Sequence, residues 1–570
     1  MASTYSSAGV YPVETDISEH VPSVATTTAA IVGYSAQGST DVRLITTSKQ
    51  FIDEYGEPDV VSGSYFHHSA LAYLKRGNKL YCKRVHNGAL YGGILIGKDG
   101  VDSVALDTGL STASFDRDIT IAAWESGVDI DDYICLITGK DPGVWNNSLT
   151  ITITDVKTVS DSVVTDRYTF KVNVYYTDDE GDSTIVETWK VSRKTKLDGY
   201  GKQLQLETKI NDYSSYIKIW DNTLANSGES DETGLADTVL PNGEVEAITV
   251  AGGSVGTTPA ADPTTMQTQI TGASGAATGW YAFENQDDYP IRILIEADGG
   301  NVVIEAAMID IATDRFDCLA LLNIPYASTS AANAVTYRDT TLNTDTSRAS
   351  LITPWAKIWD SYNNQQAEIP LAGYQAAQCA YTDYVGNVWD APAGHTRGKI
   401  SDIGVIGLTE VYTQGERDTL YAAGVNMAQV FRGRGITIWG QKTLQQKESA
   451  LDRINVRREL IYIELSVDGL VQDFVFDNNN DDVTRFRIRT KVVEFLDSLK
   501  TQGAFQTDVD EGYMVVCDSS NNTPAVIDSH ELRLDMFVKP PMSAEFIRVQ
   551  TIVTSTGSTF EELISNGVNL

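Results

Sequence analysis

The chain has 570 residues, enough for roughly three to five domains that each bury their own core, and its composition is globular: 42% hydrophobic, with 45 Gly and 15 Pro. Its 77 acidic against 43 basic residues give a formal charge of -34, a field that repels nucleic-acid phosphates and argues against nucleic acid as a partner. Five cysteines, Cys82, Cys135, Cys318, Cys379 and Cys517, are scattered, odd in number and without C-x-x-C spacing, so buried thiols are expected and not a disulfide framework or a zinc site.

Residues 1–25 are polar, carry Pro12 and Pro22 and show no helical period, which predicts an extended arm. The opening MASTYSSAGV lacks the basic cluster and apolar core of a secretion signal. No run reaches the ~20 apolar residues needed to cross a bilayer, so no membrane insertion is expected. From about 95 to 280 the texture is β-rich. LTITITDV, YTFKVNVYY, IVETWKV and YIKIW alternate or are dense in β-branched and aromatic residues, predicting antiparallel strands, with Thr177 to Asp182 as a hairpin loop. Between Lys98 and Asp288 there are 32 acidic and 13 basic residues, a net of -19 (13 minus 32), which places most of the negative charge on this insertion's solvated surface. Residues 225–280, rich in Gly, Ser, Thr and Ala, read as loops. Residues 288–325 then read as a βαβ unit, with YPIRILIEA, a helix ending near Phe316, and CLALLNIP.

The stretch from Gly424 to Arg489 carries the most local information. Gly424 follows ERDTLYAA where a helix should stop, since glycine accepts the left-handed capping conformation. Two β-prone runs flank Arg432-Gly433-Arg434-Gly435, which predicts a hairpin. Val456, Leu460, Ile463, Val467 and Leu470 recur at four- and three-residue steps, one buried helix face. A second helix, VTRFRIRTKVVEFLDSLK, follows the acidic loop Asp477 to Asp482.

This ordered set closely resembles the C-terminal core of contractile phage tail sheath proteins. The likeness extends to the arm, where Gly9-Val10-Tyr11, Asp16, Ser18 and Pro22 are similar to the family's opening motif; Ala8 stands where that family usually has proline. TTTAAIVGYSAQGSTDVRLITT resembles its first strand and turn, Phe51, Tyr55 and Gly56 its short helix, and GNKLYCKRV its next strand. DYPIRILIEADGG, DRFDCLALLNIP, LITPWAKIWD, IPLAGYQAAQCAYTD and Ala391-Pro392-Ala393-Gly394 resemble its middle domain, called subtilisin-like for its fold alone. More than half of the chain is covered. The resemblance implies an α/β core, made of a subtilisin-like middle domain and an α+β C-terminal domain, while the β-rich texture of 95–280 predicts a sandwich insertion. The expected division is a linker arm at 1–25, an N-terminal core segment at 26–94, the acidic insertion at 95–280, a non-catalytic α/β domain at 281–440, and a C-terminal sheath domain at 441–570 ending in a strand-exchange segment.

Hydrolase chemistry needs a base beside an exposed nucleophile, with a carboxylate orienting the base. None of the six histidines (His20, His67, His68, His86, His395, His530) stands in a subtilase context, and no G-T-S serine segment occurs. Asp107-Thr108-Gly109 spells an aspartic-protease tripeptide once and reads as a turn. Asp298-Gly299-Gly300-Asn301 lacks the lysine of a phosphate loop and reads as a helix start. Asp477 to Asp482 lacks the closing glutamate of a calcium loop and reads as a helix cap. No enzyme activity, metal or cofactor is expected.

The resemblance implies a structural subunit that polymerises as stacked hexameric rings around an inner tail tube protein. It would bind baseplate and tail terminator proteins, and contract to drive the tube through the host envelope. Such a subunit is assembled in the host cytoplasm and resides in the virion tail. The alternatives are a sheath subunit of a phage-derived bacteriocin or injection system and, in a different class, a β-rich surface adhesin or degradative enzyme. Gly9, Val10, Tyr11 and Pro22 in the arm, with Phe546, Ile547 and Val549 in the run FIRVQTIV, are the expected inter-subunit linker residues. Arg453 and Arg457, and Arg485 and Arg489, lie four apart on two helices. They are the candidate tube-facing cations, the competing reading being pairing with acids of the same subunit.

Overall fold

The computed structural model describes residues 26–546, apart from 60, 98–102, 107–108, 112–132, 158–168, 179, 194–196, 222–244, 403, 477–478 and 509. Uninterrupted apolar runs dictate where the main sheet forms, because a strand covered on both faces has no polar side to show. β1 (Ala29–Tyr34) is such a run, buried at every position. β2 (Arg43–Ile45) and β3 (Leu80–Val85) follow, with helices Ser48–Tyr55 and Phe66–Leu74 between them. The insertion supplies β4 (Gly93–Gly97), β5 (Val104–Ala105), β6 (Tyr133–Gly139), β7 (Leu149–Lys157), β8 (Thr169–Thr177), β9 (Ser183–Val191), β10 (Ile217–Asp221) and β11 (Val245–Thr249). The chain then returns through β12 (Ile293–Ile295), helix Val302–Arg315 and β13 (Leu319–Asn323), the expected βαβ unit with its two strands parallel.

β14 (Ala349–Thr353) and β18 (Val425–Phe431) extend the parallel sheet; between them β15 (Ala356–Asp360), β16 (Gln365–Ile369) and β17 (Val405–Leu408) form a separate three-stranded sheet. β19 (Gly435–Ile438) pairs antiparallel with β18, giving the predicted hairpin, and Gly424, at φ +79, ends the preceding helix Gln414–Ala422. The eight-stranded order is β19-β18-β14-β13-β12-β1-β3-β2. Alternate residues feed opposite faces: Ile293 and Ile295 join a cluster with Phe51, Phe66 and Ala376, whereas Leu294 joins Val32, Met308 and Trp280. Since β1 lies between β3 and β12, residues 26–94 and 281–440 share one sheet and one pair of cores.

In the insertion, two four-stranded antiparallel sheets, β10-β6-β4-β5 and β11-β7-β8-β9, contribute to one apolar cluster. Ile94, Ile137 and Ile219 enter it from the first sheet, and Ile151, Phe170 and Val172 from the second. The two crossing chains pair at Asn87↔Thr257, Leu90↔Ser254 and Gly93↔Ala251, forming a neck. The loop expected over 225–280 is corrected here: β11, helix Pro263–Thr271 and a 3-10 turn at Gly279–Phe283 lie within it. Asp262 caps that helix with Pro263 in its first turn, and Met266, Ile270, Trp280 and Phe283 anchor it to the main core.

Helix Ile454–Val471 bridges two cores. Ile454 belongs to the cluster of Phe51, Phe66 and Ala376, while Ile463, Val467 and Leu470 pack with Val492, Phe495 and Leu496 of helix Asp482–Thr501. Val456 is buried and Leu460 half-buried, so the predicted apolar face holds. β20 (Tyr513–Val516) and β21 (Asp535–Val538) complete the described chain as a two-stranded antiparallel sheet.

Candidate assembly surfaces

The β20–β21 sheet is the least covered in the described structure. Val515 packs under it with Tyr513, Met536 and Val538 alongside, whereas Met514 and Phe537 on the other side are each more than half exposed. Two strands are marginal alone, and among the described residues each strand of this sheet leaves one edge unpaired, the kind of edge to which added chain pairs. Beyond β21 the chain passes Pro540-Pro541 to Phe546, which is 82% exposed with its ring 6.3 Å from that of Tyr421. Ile547 and Val549 lie outside the described residues, as do Gly9, Val10, Tyr11 and Pro22.

The first and last described stretches, where the terminal segments meet the body, are each held by hydrogen bonds. At the N-terminal root, Thr26 donates its hydroxyl to Asp383 Oδ2 at 2.6 Å, and the same oxygen accepts from Arg458 Nη2 at 2.5 Å. The Thr27 carbonyl accepts from the Tyr73 hydroxyl, and the Thr28 carbonyl from the backbone of Arg292 and Ile293, leading straight into β1. At the C-terminal root, Glu545 receives a fork from Arg453, at 2.7 Å from Nε and 2.8 Å from Nη2, together with Gln441 Nε2 at 3.0 Å and the Tyr421 hydroxyl at 2.7 Å. Burial works to raise the Glu545 carboxyl, but these donors outweigh it and hold it below the ordinary glutamate value. Asp383, Arg458, Tyr421 and Gln441 carried no signal in the sequence, because their partners lie 357, 75, 124 and 104 positions away.

The four arginines expected on a tube-facing surface fall in different places. Arg453 is engaged by Glu545 and Asp452, and Arg457 is buried with Nη2 on the Ser347 hydroxyl at 2.7 Å. Arg485 is buried against Asn480 and Asp482. Arg489 alone of the four is exposed, with Arg487 exposed two positions before it. The four-residue spacing therefore does not produce two matched basic faces, since Asp452 and the distant Glu545 take Arg453, burial on Ser347 takes Arg457, and Asn480 and Asp482 take Arg485.

The motifs weighed for chemistry are occupied by the fold itself. The amides of Asp298 and Gly300 donate to the carboxylate of Glu296, which also accepts from Asn323, so an internal carboxylate fills the turn before helix Val302–Arg315. Burial pushes Glu296 up, and burial with the neighbouring Glu296 raises Asp298 to about 7. Asp481 caps helix Asp482–Thr501 through the Thr484 amide; Asp477 lies outside the described residues. His395 stacks in an aromatic trio with Phe431 and Trp439, ring centroids 4.7 and 4.9 Å away. Ser35 and His67 approach to 3.3 Å, but both are buried, Ser35 donates to the Tyr55 carbonyl, and burial lowers His67 to about 4. Asp107 and Thr108 lie outside the described residues. All five cysteines are buried and free, and no metal-holding group occurs among the described residues.

Comparison with known proteins places this architecture. The family model described as "Phage tail sheath protein central domain" matches residues 269–444, and "Phage tail sheath C-terminal domain" matches 446–554, together half of the chain. The tail sheath protein of Vibrio phage KVP40 is 32% identical over 47% of this chain and 42% of its own length. That of Enterobacteria phage T4 is 30% identical over 50% of this chain and 45% of its own. The chain thus spans less than half the length of the curated relatives it matches. A crystal structure of a sheath tail protein from Listeria innocua shares the fold at a TM-score of 0.51, with 12% identity over 90% of this chain and 95% of that one. Such relatives are structural subunits and not enzymes, and the present chain belongs to the phage tail sheath protein family.

Proposed function

We propose that the protein polymerises as stacked hexameric rings around an inner tail tube and contracts to drive that tube through a host envelope. The observation that supports this reading is the two-stranded β20–β21 sheet, together with the hydrogen bonds that fix Thr26 and Glu545 to the body where the described chain begins and ends. Strands added from neighbouring copies would complete the sheet through backbone hydrogen bonds, leaving the subunit bodies free to rotate. Contraction then needs no nucleotide if the extended lattice is the higher-energy arrangement and the contracted one buries more surface. The partners are other copies of the chain, the tube protein, and the baseplate and terminator proteins that close the two ends. Assembly takes place in the host cytoplasm.

On this reading residues 281–440, completed by strands from 26–94, are the subtilisin-like domain, and the two sheets of the insertion are a sandwich on the outer surface. The neck at Asn87↔Thr257 and the acidic composition support that placement. Negative-stain microscopy of the purified chain tests the proposal. Striated hollow tubes are expected; a chain cut at residue 26 should stay folded and form none. Dispersed full-length monomers under all assembly conditions, or normal tubes from the truncated chain, would sink it. Replacing residues 91–251 by a short turn should still give tubes, of smaller outer diameter.

A further inference from the structure

Two clamps meet on one short piece of chain. Arg453 is the N-cap residue of helix Ile454–Val471 and Arg458 its fifth residue, so both sit within its first two turns. Arg453 holds Glu545 at the root of the C-terminal arm; Arg458 holds Asp383, which holds Thr26 at the root of the N-terminal arm. The helix start is itself fixed to the body. Ile454 donates its amide to the Gln441 carbonyl, Lys442 bridges to Arg453, and Asn455 Nδ2 bonds the Trp389 carbonyl at 3.0 Å. Gln441 closes the arrangement, since its side chain also donates to Glu545.

We propose that Arg453 and Arg458 are positioning residues that dock the roots of both terminal arms onto the first turns of one helix. Both connections to neighbouring copies then leave the subunit from a single platform. The inference rests on the reading of the arms as inter-subunit linkers, and names the residues that set where those linkers begin. A forked guanidinium–carboxylate pair is the geometry that fixes direction as well as distance. An arm released at Glu545 gains slack, so a neighbour receiving it is held less tightly.

The test uses the full-length subunit kept unpolymerised at low concentration, with protease clipping followed by mass spectrometry. Arg453→Glu and Glu545→Arg should each speed clipping beyond residue 540 by about tenfold or more, the scale of a lost charged hydrogen bond, and leave clipping near residue 26 unchanged. The double variant carrying both changes should regain protection to within about threefold, because it restores an opposite pair. Thr26→Ala should speed clipping at the N-terminal root alone. Where charge reversal disturbs folding, Glu545→Gln supplies the same reading with the side-chain shape kept. Polymers of the released variants should dissociate at lower denaturant than those of the natural chain. Unchanged clipping in the single variants, or a charge swap no better protected than either single change, would overturn the docking. Normal polymers from chains cut at 26 and at 546 would overturn the linker reading instead, while leaving the clipping result standing.

Discussion

The insertion and the body are both built on sheets, yet they are closed in opposite ways. Among the described residues the insertion takes eight strands from one stretch and gathers them around one main core, with a small second cluster of Leu95, Leu106 and Leu136, and is closed by the neck at Asn87 to Thr257. The body draws its sheet from segments far apart, with β1 wedged between β3 and β12, and carries a core on each face. Acids shift both ways in each region: burial raises Asp141 of the insertion, and in the body Lys75 and Tyr374 outweigh burial to hold Asp402 low. Lys157 and Lys171 hold Asp155 of the insertion below the ordinary aspartate range, and the amides of Lys202 and Tyr200 do the same for Asp198. In the body, burial raises Glu296, Asp298, Glu305 and Glu459. The insertion, closed on itself, should therefore tolerate change that the body, assembled from distant pieces, does not.

The sharpest way to break this comparison is to make equal cavities in the two regions. Leu321 of β13 and Ile151 of β7 are both buried, and truncating either to alanine should cost about 2–5 kcal/mol. Leu321→Ala should lower the melting transition of the body and abolish polymerisation. Ile151→Ala should lower a separate transition and leave polymerisation intact. Scanning calorimetry with microscopy distinguishes the two, and a single transition shifted by both variants would show that the regions form one cooperative unit.

A smaller effect separates the regions by pH. Glu459, on helix Ile454–Val471, is buried, both its carboxyl oxygens lack partners among the described residues, and burial raises it to about 8. Between the ordinary value of 4.5 and 8, the folded chain keeps a proton that the unfolded chain releases, so stability falls as pH rises through that window. Glu459→Gln should therefore stabilise the body by about 1–3 kcal/mol above pH 8 and by nothing below pH 4.5, where both states are protonated. The depressed Asp155 and Asp198 act in the other direction: what they contribute is present above 3.8 and lost as pH falls below it. Thermal melts from pH 4 to 9 check the sign; a Glu459→Gln gain that persists at pH 4 would point to packing and not to the charge.

Legibility in the sequence followed the range of the forces involved. The β18–β19 hairpin, the stop at Gly424 and helix Ile454–Val471 were readable because turn glycines and the spacing of Val456, Ile463 and Val467 act within a few residues. The βαβ unit was readable for the same reason. The helix Pro263–Thr271 was missed because a Gly/Ser/Thr-rich background hides an Asp-Pro start whose two anchors, Met266 and Ile270, matter only against Trp280 and Phe283. That β1 joins residues 26–94 to the middle of the chain is decided by pairing across more than 200 residues, which no local pattern records. The arm clamps are harder still, since Arg453 was legible as a cation but its partner Glu545 lies 92 positions on.

The smallest expected effect concerns the grip on the tube, and it sharpens the same contrast between residues the fold consumes and residues it leaves outside. On helix Asp482–Thr501, Val483 and Phe486 are 57% and 68% exposed, next to the exposed Arg487 and Arg489. Val483, Phe486 and Arg487 share one helical face by their three- and four-residue spacing. If the subunit surrounds a tube as proposed above, this apolar pair beside exposed guanidinium groups is the surface expected to meet an acidic tube wall. Arg487→Glu with Arg489→Glu should leave melting unchanged within about 0.5 kcal/mol, as exposed charges away from packing generally do. Each exposed pair is worth about 0–1 kcal/mol, so one subunit loses little, but repetition around every ring multiplies the loss. Pelleting with purified tube should show weakened co-assembly, with the larger deficit at low salt, where charges are least screened, and unchanged tube-free polymers. Arg457→Glu is the control from the other side: Arg457 is buried on Ser347, so its reversal should lower the melting temperature before any question of the tube arises. Co-assembly equal to that of the natural chain at every salt concentration would remove this helix from the tube interface.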